Sequence, residues 1–277
     1  MLFIAKVYFV FVLLTALIVR WGLFLHKVNW DCISICLVKL QYSPSGYDTS
    51  PSPRKSHTIP PPSTFHMQDK RQKTIILDLV GVVVNINLER DDKALRAIGL
   101  PDFHSCMHND SLRPILLEYL NGLTSEETFC KLIRTYCQPG TPDEDILQAM
   151  DEHLDTIPEA RLRMIAGLKD RYNVCLLTNI YRRAWDIIVG RMAVLGFSPD
   201  DCFHRLFLSY EMQMAKPDHA IYEAVMSEMG SEPHDTIFID DTLQNVLAAK
   251  ELGIKAIHIE MNTLDESVMH DAVQSFA

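Results

Sequence analysis

Hydrophobic and polar residues fall into blocks along the chain, and the blocks differ in their period. Residues 74–86 are apolar and mostly β-branched around one aspartate, which is typical of a strand buried on both faces of a parallel sheet. From 88 to 158 the apolar residues recur at helical spacing. This stretch predicts helices at Leu88–Ile98, at Leu112–Leu120, from a capping box at Thr124 towards Cys137, and at Asp143–Leu154.

Beyond residue 158, helical and strand-like segments alternate. The predicted helices are Pro158–Lys169, Arg182–Leu195, Ala220–Met229 and Leu243–Leu252. The predicted strands are Tyr172–Leu177, Arg205–Leu208, Thr236–Ile239 and Ala256–Ile259. Such alternation indicates βαβ units. The sequence therefore predicts an α/β protein with a Rossmann-like parallel sheet, helices on both faces and an all-helical insertion after the first strand.

The first 66 residues have a different character. Residues 7–25 are almost wholly apolar and are just long enough to cross roughly 30 Å of hydrocarbon. A Pro- and Ser-rich stretch at 43–64 follows, which predicts an extended linker. Three interpretations stay open: a membrane anchor on a stalk, an inefficient export signal, and a segment upstream of a true start at Met67. Basic residues after the apolar run favour a cytoplasmic body if the segment inserts.

Composition narrows the range of functions. The chain has 26 Lys and Arg against 36 Asp and Glu, a formal net charge of -10. That balance argues against a nucleic-acid partner bound through bulk positive charge. It also means that a site for an anionic substrate must supply its own local cations. The seven cysteines are odd in number and irregularly spaced, which favours reduced thiols in the cytoplasm over a disulfide framework.

Polar residues follow the predicted strands at the edge where ligands of parallel sheets bind. Asp78 follows the strand at 74–77 within the first apolar run, and it could be a metal ligand, a nucleophile or a helix cap. Thr178 and Asn179 follow the second strand, where a hydroxyl and a backbone N–H could bind an oxyanion or cap a helix. Lys216 stands before Pro217, which the pattern places in the first turn of the next helix.

A pair of carboxylates follows the strand at 236–239. Asp240 and Asp241 are adjacent, and Asn245 comes four residues after Asp241. Two neighbouring carboxylates are costly unless a cation neutralises them. The pair therefore predicts a divalent cation with oxygen ligands, and Mg²⁺ is the usual choice where phosphate is also bound.

Taken together, these residues resemble the four motifs of the haloacid dehalogenase-like (HAD) superfamily. The matching segments are IILDLVGV, LLTN, KPDHAIY and FIDDTLQN, in that order. The first motif looks most like the branch that includes sugar-phosphate phosphatases. The resemblance implies a HAD core at 74–87 and 159–277 and a helical cap at 88–158. The remaining chain divides into an apolar segment at 1–40 and a linker with a polar lead at 41–73.

The resemblance also implies a role for each residue. Asp78 would be the nucleophile that forms an aspartyl phosphate. Mg²⁺ would be held by Asp78, the backbone carbonyl of Val80 and Asp241, with Asp240 and Asn245 behind them. Phosphate oxygens would be bound by Thr178 and the N–H of Asn179. Lys216 would lie between the phosphate and Asp78 and offset negative charge.

Val80 departs from the phosphatase pattern. Members of the family usually carry an aspartate there, two residues after the nucleophile, as general acid and base. We expect a Mg²⁺-dependent phosphatase of a small phosphorylated metabolite, slowed by this valine. Two alternatives stay open, namely a metal-free dehalogenase on the same fold and a catalytically weak phosphate-binding or regulatory module. A membrane partner is expected only if residues 7–25 are translated and inserted, and the sequence leaves the oligomeric state open.

Overall fold

Five parallel strands form the centre of the fold. The computed structural model describes residues 73–274 and 276. The strands are β1 (Thr74–Leu77), β2 (Asn173–Thr178), β3 (Arg205–Leu208), β4 (Thr236–Asp240) and β5 (Lys255–His258). Their order across the sheet is β3-β2-β1-β4-β5, and every neighbouring pair is parallel. The predicted α/β fold is confirmed, with each of the five predicted strands present.

Both faces of the sheet are covered, because alternate residues of each strand point to opposite sides. On β1, Ile75 and Leu77 belong to the larger apolar cluster, and Ile76 belongs to the smaller one on the other face. All three side chains are buried. Continuous apolar runs in the central strands therefore reflect burial on both faces, as expected for a parallel sheet.

Helices connect the strands. In chain order they are α1 (Leu88–Ala97), α2 (Phe103–Met107), α3 (Leu112–Leu120), α4 (Glu126–Ile133), α5 (Asp143–Asp151), α6 (Glu159–Leu168), α7 (Arg182–Val194), α8 (Pro199–Cys202), α9 (Ser209–Met212), α10 (His219–Met229), α11 (Leu243–Glu251) and α12 (Glu266–Gln274). The sequence pattern missed α2, α8, α9 and α12. It also misplaced one cap, because Ser125 rather than Thr124 caps α4 and accepts a hydrogen bond from the N–H of Thr128.

The apolar run at 74–86 is only partly a strand. β1 ends at Leu77, and the chain then turns, with Gly81 at a φ of 92° and hydrogen bonds from the N–H groups of Val83 and Val84 to the carbonyl of Leu79. The strand predicted at 74–77 is confirmed, and the apolar residues beyond Asp78 form a turn in which Leu79, Val82, Val83 and Val84 are as buried as the residues of β1. Apolar content alone does not distinguish the two.

Helices α1–α5 form an insertion between β1 and β2, here called the inserted helical segment (88–151). The outgoing and returning chains pair beside each other at its base. The N–H of Asn85 donates to Thr156 O, the N–H of Asp155 donates to Asn85 O, and the N–H of Asn87 donates to His153 O. The segment is therefore joined to the sheet through a short two-stranded connection.

The predicted membrane segment at 7–25 lies outside the described residues. Within 73–274, no helix is both long and apolar enough to cross a membrane. The five cysteines of the described part of the chain are all free thiols.

Candidate active site

The strand-end residues singled out in the sequence meet at the carboxyl edge of the sheet. Asp78 follows β1, Thr178 ends β2 and Asp240 ends β4. Because β1 lies between β2 and β4, these three positions are neighbours across the sheet. Lys216 reaches the same place from the loop after α9. The topology therefore brings together side chains that lie up to about 160 residues apart in the chain.

Lys216 binds two carboxylates at once. Its Nζ lies 2.6 Å from Oδ1 of Asp78 and 2.7 Å from Oδ2 of Asp240. The three side chains are 2%, 8% and 0% exposed, respectively. An ion pair so deeply buried is costly to form, and losing either partner would leave an uncompensated charge. The prediction that Pro217 begins the next helix was wrong, because Asp218 caps α10 and Pro217 lies before the cap.

The pKa values show that the site holds more negative charge than one lysine neutralises. Burial is the main reason that the pKa of Asp78 is raised to about 7; the charge of Lys216 works against this shift, and the charge of Asp240 adds to it. Burial and Asp240 also raise the pKa of Asp241 to about 6. Burial alone would lower the pKa of Lys216, but its two carboxylate partners outweigh burial and raise it. A second cation would stabilise the ionised form of both Asp78 and Asp241.

The adjacent aspartates have different surroundings. Both carboxylate oxygens of Asp240 accept hydrogen bonds from protein donors. Oδ1 accepts from the N–H of Thr242 at 2.7 Å, and Oδ2 accepts from Nζ of Lys216. Nδ2 of Asn245 lies 3.1 Å from each of the two oxygens. Asp241 instead lies against Gly81, where an added Cβ would fall 2.8 Å from its Cγ. Asp240 is thus held by the protein, and Asp241 faces the turn that follows Asp78.

Thr178 and Asn179 sit at the end of β2. The hydroxyl of Thr178 is buried and has no hydrogen-bond partner. A buried hydroxyl without a partner costs free energy unless a ligand or water satisfies it. Asn179 uses its side chain to clamp Lys216, with Nδ2 donating to the carbonyl at 2.8 Å and Oδ1 accepting from the N–H at 2.9 Å. The backbone N–H of Asn179 is the group expected from the sequence to bind a phosphate oxygen.

The donor set fits a divalent cation. Asp78, Asp240 and Asp241 each offer a carboxylate oxygen, and these atoms lie within 4.8 Å of one another. Hard cations such as Mg²⁺ prefer oxygen ligands of this kind. The raised pKa values of Asp78 and Asp241 and the unpartnered hydroxyl of Thr178 point the same way. The site is therefore suited to a cation together with an oxyanion.

Three features of the site were missed by the sequence analysis. The first is the side-chain clamp of Asn179 on Lys216. The second is the contact of Gly81 with Asp241. The third is Ser209, a buried residue whose Oγ accepts from the N–H of Ile180 at 2.9 Å and donates to the carbonyl of Leu120 at 2.6 Å. The glycine three residues after Asp78 is a sequence signal for the second, because glycine permits a tight turn and a close approach, but no local pattern marks the others.

Comparison with known proteins gives consistent matches. The family model described as "haloacid dehalogenase-like hydrolase" matches residues 72–253. A D-ribitol-5-phosphate phosphatase of Bacteroides thetaiotaomicron is 27% identical over 190 residues, covering 68% of this chain and 92% of the relative. A flavin mononucleotide hydrolase of Arabidopsis thaliana is 26% identical over 197 residues, covering 69% of this chain and 74% of the relative.

Solved structures agree with these matches. A HAD family enzyme of Bacteroides thetaiotaomicron superposes with a TM-score of 0.65 at 31% identity, covering 73% of this chain and 99% of that one. A wild-type complex of a HAD family enzyme from the same organism with magnesium and inorganic phosphate gives a TM-score of 0.63 at 32% identity, covering 72% and 98%.

Proposed function

The chain belongs to the haloacid dehalogenase-like hydrolase family, and we propose that it is a Mg²⁺-dependent phosphatase acting through an aspartyl phosphate on Asp78. Its substrate is a small phosphorylated metabolite. Two relatives support this class, since one is a D-ribitol-5-phosphate phosphatase and the other a flavin mononucleotide hydrolase. The inserted helical segment is the cap that closes over the leaving group, and the enzyme acts in the cytoplasm.

One observation carries the proposal: the buried Asp78–Lys216–Asp240 ion cluster with the unpartnered hydroxyl of Thr178 beside it. A structural ion pair would not need a third carboxylate, Asp241, within 4.8 Å of the other two. Nor would it need a buried hydroxyl left without a partner. A phosphate with its cation satisfies all of these groups together. The same excess of carboxylates argues against metal-free dehalogenation.

In the proposed reaction, a carboxylate oxygen of Asp78 attacks phosphorus in line with the leaving oxygen. The bond from phosphorus to the leaving oxygen breaks, and a new bond from phosphorus to Asp78 forms. Lys216 and the hydroxyl of Thr178 lower the cost of the charge on the phosphoryl oxygens. Asp78, Asp241 and the carbonyl of Val80 would hold Mg²⁺, which when bound would supply further positive charge at the phosphate. Water then attacks phosphorus, displaces Asp78 and releases inorganic phosphate.

Val80 shapes the choice of substrate. With valine in place of the usual aspartate, the leaving oxygen takes its proton from solvent. A positioned general acid contributes about 10²–10⁴ in rate, equivalent to roughly 3–5 kcal/mol. Leaving groups that need little protonation suffer least from its absence. We therefore expect an anomeric sugar phosphate or another activated ester to be hydrolysed faster than a simple alkyl phosphate.

A phosphatase screen tests the function. Sugar, polyol, nucleotide and acyl phosphates are each assayed for phosphate release with Mg²⁺ and with EDTA. We expect hydrolysis of at least one class that depends on the metal. Uniform inactivity across the panel, in a folded protein, would contradict the proposal and favour the phosphate-binding module.

The nucleophile is tested by Asp78→Asn. The amide has the same shape but cannot attack phosphorus, so we expect turnover to be lost with the fold retained, as judged by circular dichroism. Asp170→Asn is the matched control, because Asp170 is an exposed carboxylate just before β2, at the opposite edge of the sheet. Activity of Asp78→Asn within a few-fold of wild type would show that the mechanism is wrong.

A further inference from the structure

Arg161 is a buried cation outside the ion cluster of the site. It lies on α6, and the residue is 6% exposed. Its guanidinium donates to four oxygens: the carbonyls of Leu264 at 2.8 Å, Val83 at 3.1 Å and Asn262 at 3.0 Å, and Oδ1 of Asn85 at 2.9 Å. Because these acceptors belong to two segments distant in sequence, one side chain ties both of them to α6.

Burying a guanidinium against uncharged oxygens is expensive. Desolvation lowers the pKa of Arg161, although Asp265 partly offsets this effect. A methionine of similar length would avoid the cost of burying a charge, but it would leave these four oxygens without their donor. The benefit of the arginine is geometric, since its planar fork fixes several acceptors at set positions.

Asn262 holds the same turn from the other side. Its backbone has a φ of 67°, and its N–H donates to the carbonyl of Gly81 at 2.6 Å. Its side chain pairs with both backbone groups of Ile86, accepting from the N–H at 2.8 Å and donating to the carbonyl at 3.0 Å. Asn262 thus spans the two ends of the turn and is itself held by Arg161.

This turn, residues 79–86, leads directly into the site. It follows Asp78 and includes the carbonyl of Val80. At Gly81 the backbone lies against the carboxylate of Asp241. A shift of the turn would therefore move the carbonyl of Val80 and remove the backbone of Gly81 from its place against the carboxylate of Asp241, and this carbonyl and this carboxylate are both groups that would hold the cation.

We propose that Arg161 and Asn262 are positioning residues, which hold the turn at 79–86 so that the carbonyl of Val80 and the carboxylate of Asp241 meet the metal in the right geometry. The inference rests on the proposed Mg²⁺-dependent function. Neither residue touches the reacting atoms. Both act through the backbone of the turn.

Direct metal binding tests the proposal without turnover. Mn²⁺ is titrated into the substrate-free protein and followed by electron paramagnetic resonance, for wild type, Arg161→Met, Arg161→Lys and Asn262→Gly. Loss of residues that orient metal ligands costs about 10–100-fold in affinity, so we expect weakening of that order in Arg161→Met and Asn262→Gly. Arg161→Lys should lie between wild type and Arg161→Met, because a single amino group satisfies fewer of the four acceptors.

Asn262→Gly is included because this variant is expected to fold even if Arg161→Met does not. Glycine adopts positive φ readily and keeps the N–H that bonds to Gly81, so only the side-chain pairing with Ile86 is lost. We expect faster amide hydrogen exchange in the peptide covering 79–87. In the turnover assay we expect a higher Mg²⁺ concentration at half-saturation, with kcat at saturating Mg²⁺ within a few-fold of wild type.

Ile165→Ala is the matched control. Ile165 is fully buried on the same helix, and its truncation lowers the melting temperature without breaking a bond to the turn. Mn²⁺ affinity should stay at the wild-type value in this variant. Unchanged affinity in both Arg161→Met and Asn262→Gly, or an equal loss in Ile165→Ala, would overturn the positioning role. Failure of the wild-type protein to bind Mn²⁺ would instead overturn the metal-dependent function.

Discussion

Replacing Gly81 by alanine should destroy the metal site while leaving the fold intact. The residue has a φ of 92°, and an added Cβ would lie 2.8 Å from Cγ of Asp241 and closer still to Oδ2. Two costs follow, namely backbone strain at positive φ and a steric collision with a carboxylate.

The two costs fall on different properties of the protein. Holding a non-glycine residue in a sparsely populated backbone region costs about 1–3 kcal/mol of unfolding free energy. Relieving the collision is cheaper for the fold, because the carboxylate of Asp241 ends a short side chain and can rotate away. That rotation removes Asp241 from the group of three carboxylates within 4.8 Å. We therefore expect modest destabilisation but at least a 100-fold loss of metal affinity and of kcat/KM.

Gly140→Ala separates these costs. Gly140 has a φ of 86°, and an added Cβ there would meet nothing within 4 Å. Both variants should lose similar stability in urea unfolding without metal, and only Gly81→Ala should lose Mn²⁺ binding and turnover. Wild-type metal affinity in Gly81→Ala, or an equal loss in Gly140→Ala, would refute the assignment of Asp241 as a ligand held against this turn.

Three further predictions follow from other residues. Lys216→Met should reduce the unfolding free energy by about 3–5 kcal/mol in urea titrations, because it leaves Asp78 and Asp240 buried without their cation; a loss below about 1 kcal/mol would contradict this. Val80→Asp should speed hydrolysis of alkyl phosphates about tenfold or more and of aryl phosphates little, since only the former need a proton; equal responses, at unchanged melting temperature and Mg²⁺ affinity, would argue against proton transfer there. Burial lowers the pKa of His153 below 6.5, and the charges of Arg191 and Arg90 add to this effect, while the hydrogen bond with the carbonyl of Met150 and the charge of Asp151 oppose it. Below pH 6.5 the unfolded chain therefore binds the proton more readily, and the stability advantage of wild type over His153→Gln should shrink by up to about 1.4 kcal/mol per pH unit; an advantage that grows on acidification would show that the sign is wrong.

The sheet could be predicted because its strands are short apolar runs separated by amphipathic helices. β3 matches its predicted bounds, and the other strands after β1 shift by one residue or so. The apolar run continues past the end of β1 because the largely buried turn at 79–84 needs the same apolar residues as a strand. The short helices α8 and α9 were missed because four residues are too few to show a helical period.

The candidate site was predictable where it depends on topology. Carboxyl ends of parallel strands share an edge, so Asp78, Thr178 and Asp240 had to be neighbours once the strand order was known. Topology does not predict the hydrogen bonds that Asn179 makes to Lys216, or those that Arg161 makes to the turn at 79–86. They join residues that no local pattern connects, and they depend on the final approach of whole elements.

The position of β1 at the centre of the sheet bears on how the chain matures during synthesis. Thr74 pairs with Asn173 on one side and with Thr236 on the other. At roughly 5–20 residues per second, a ribosome needs on the order of ten seconds or more to supply both neighbours. Until then an apolar strand with unpaired edges is exposed, and such a strand is prone to aggregate.

The inserted helical segment emerges in this interval and depends mainly on local contacts, which form fastest. Early collapse of these helices would shield the nascent strand, so substitutions that loosen α1–α5 should lower the yield of folded enzyme more than its melting temperature.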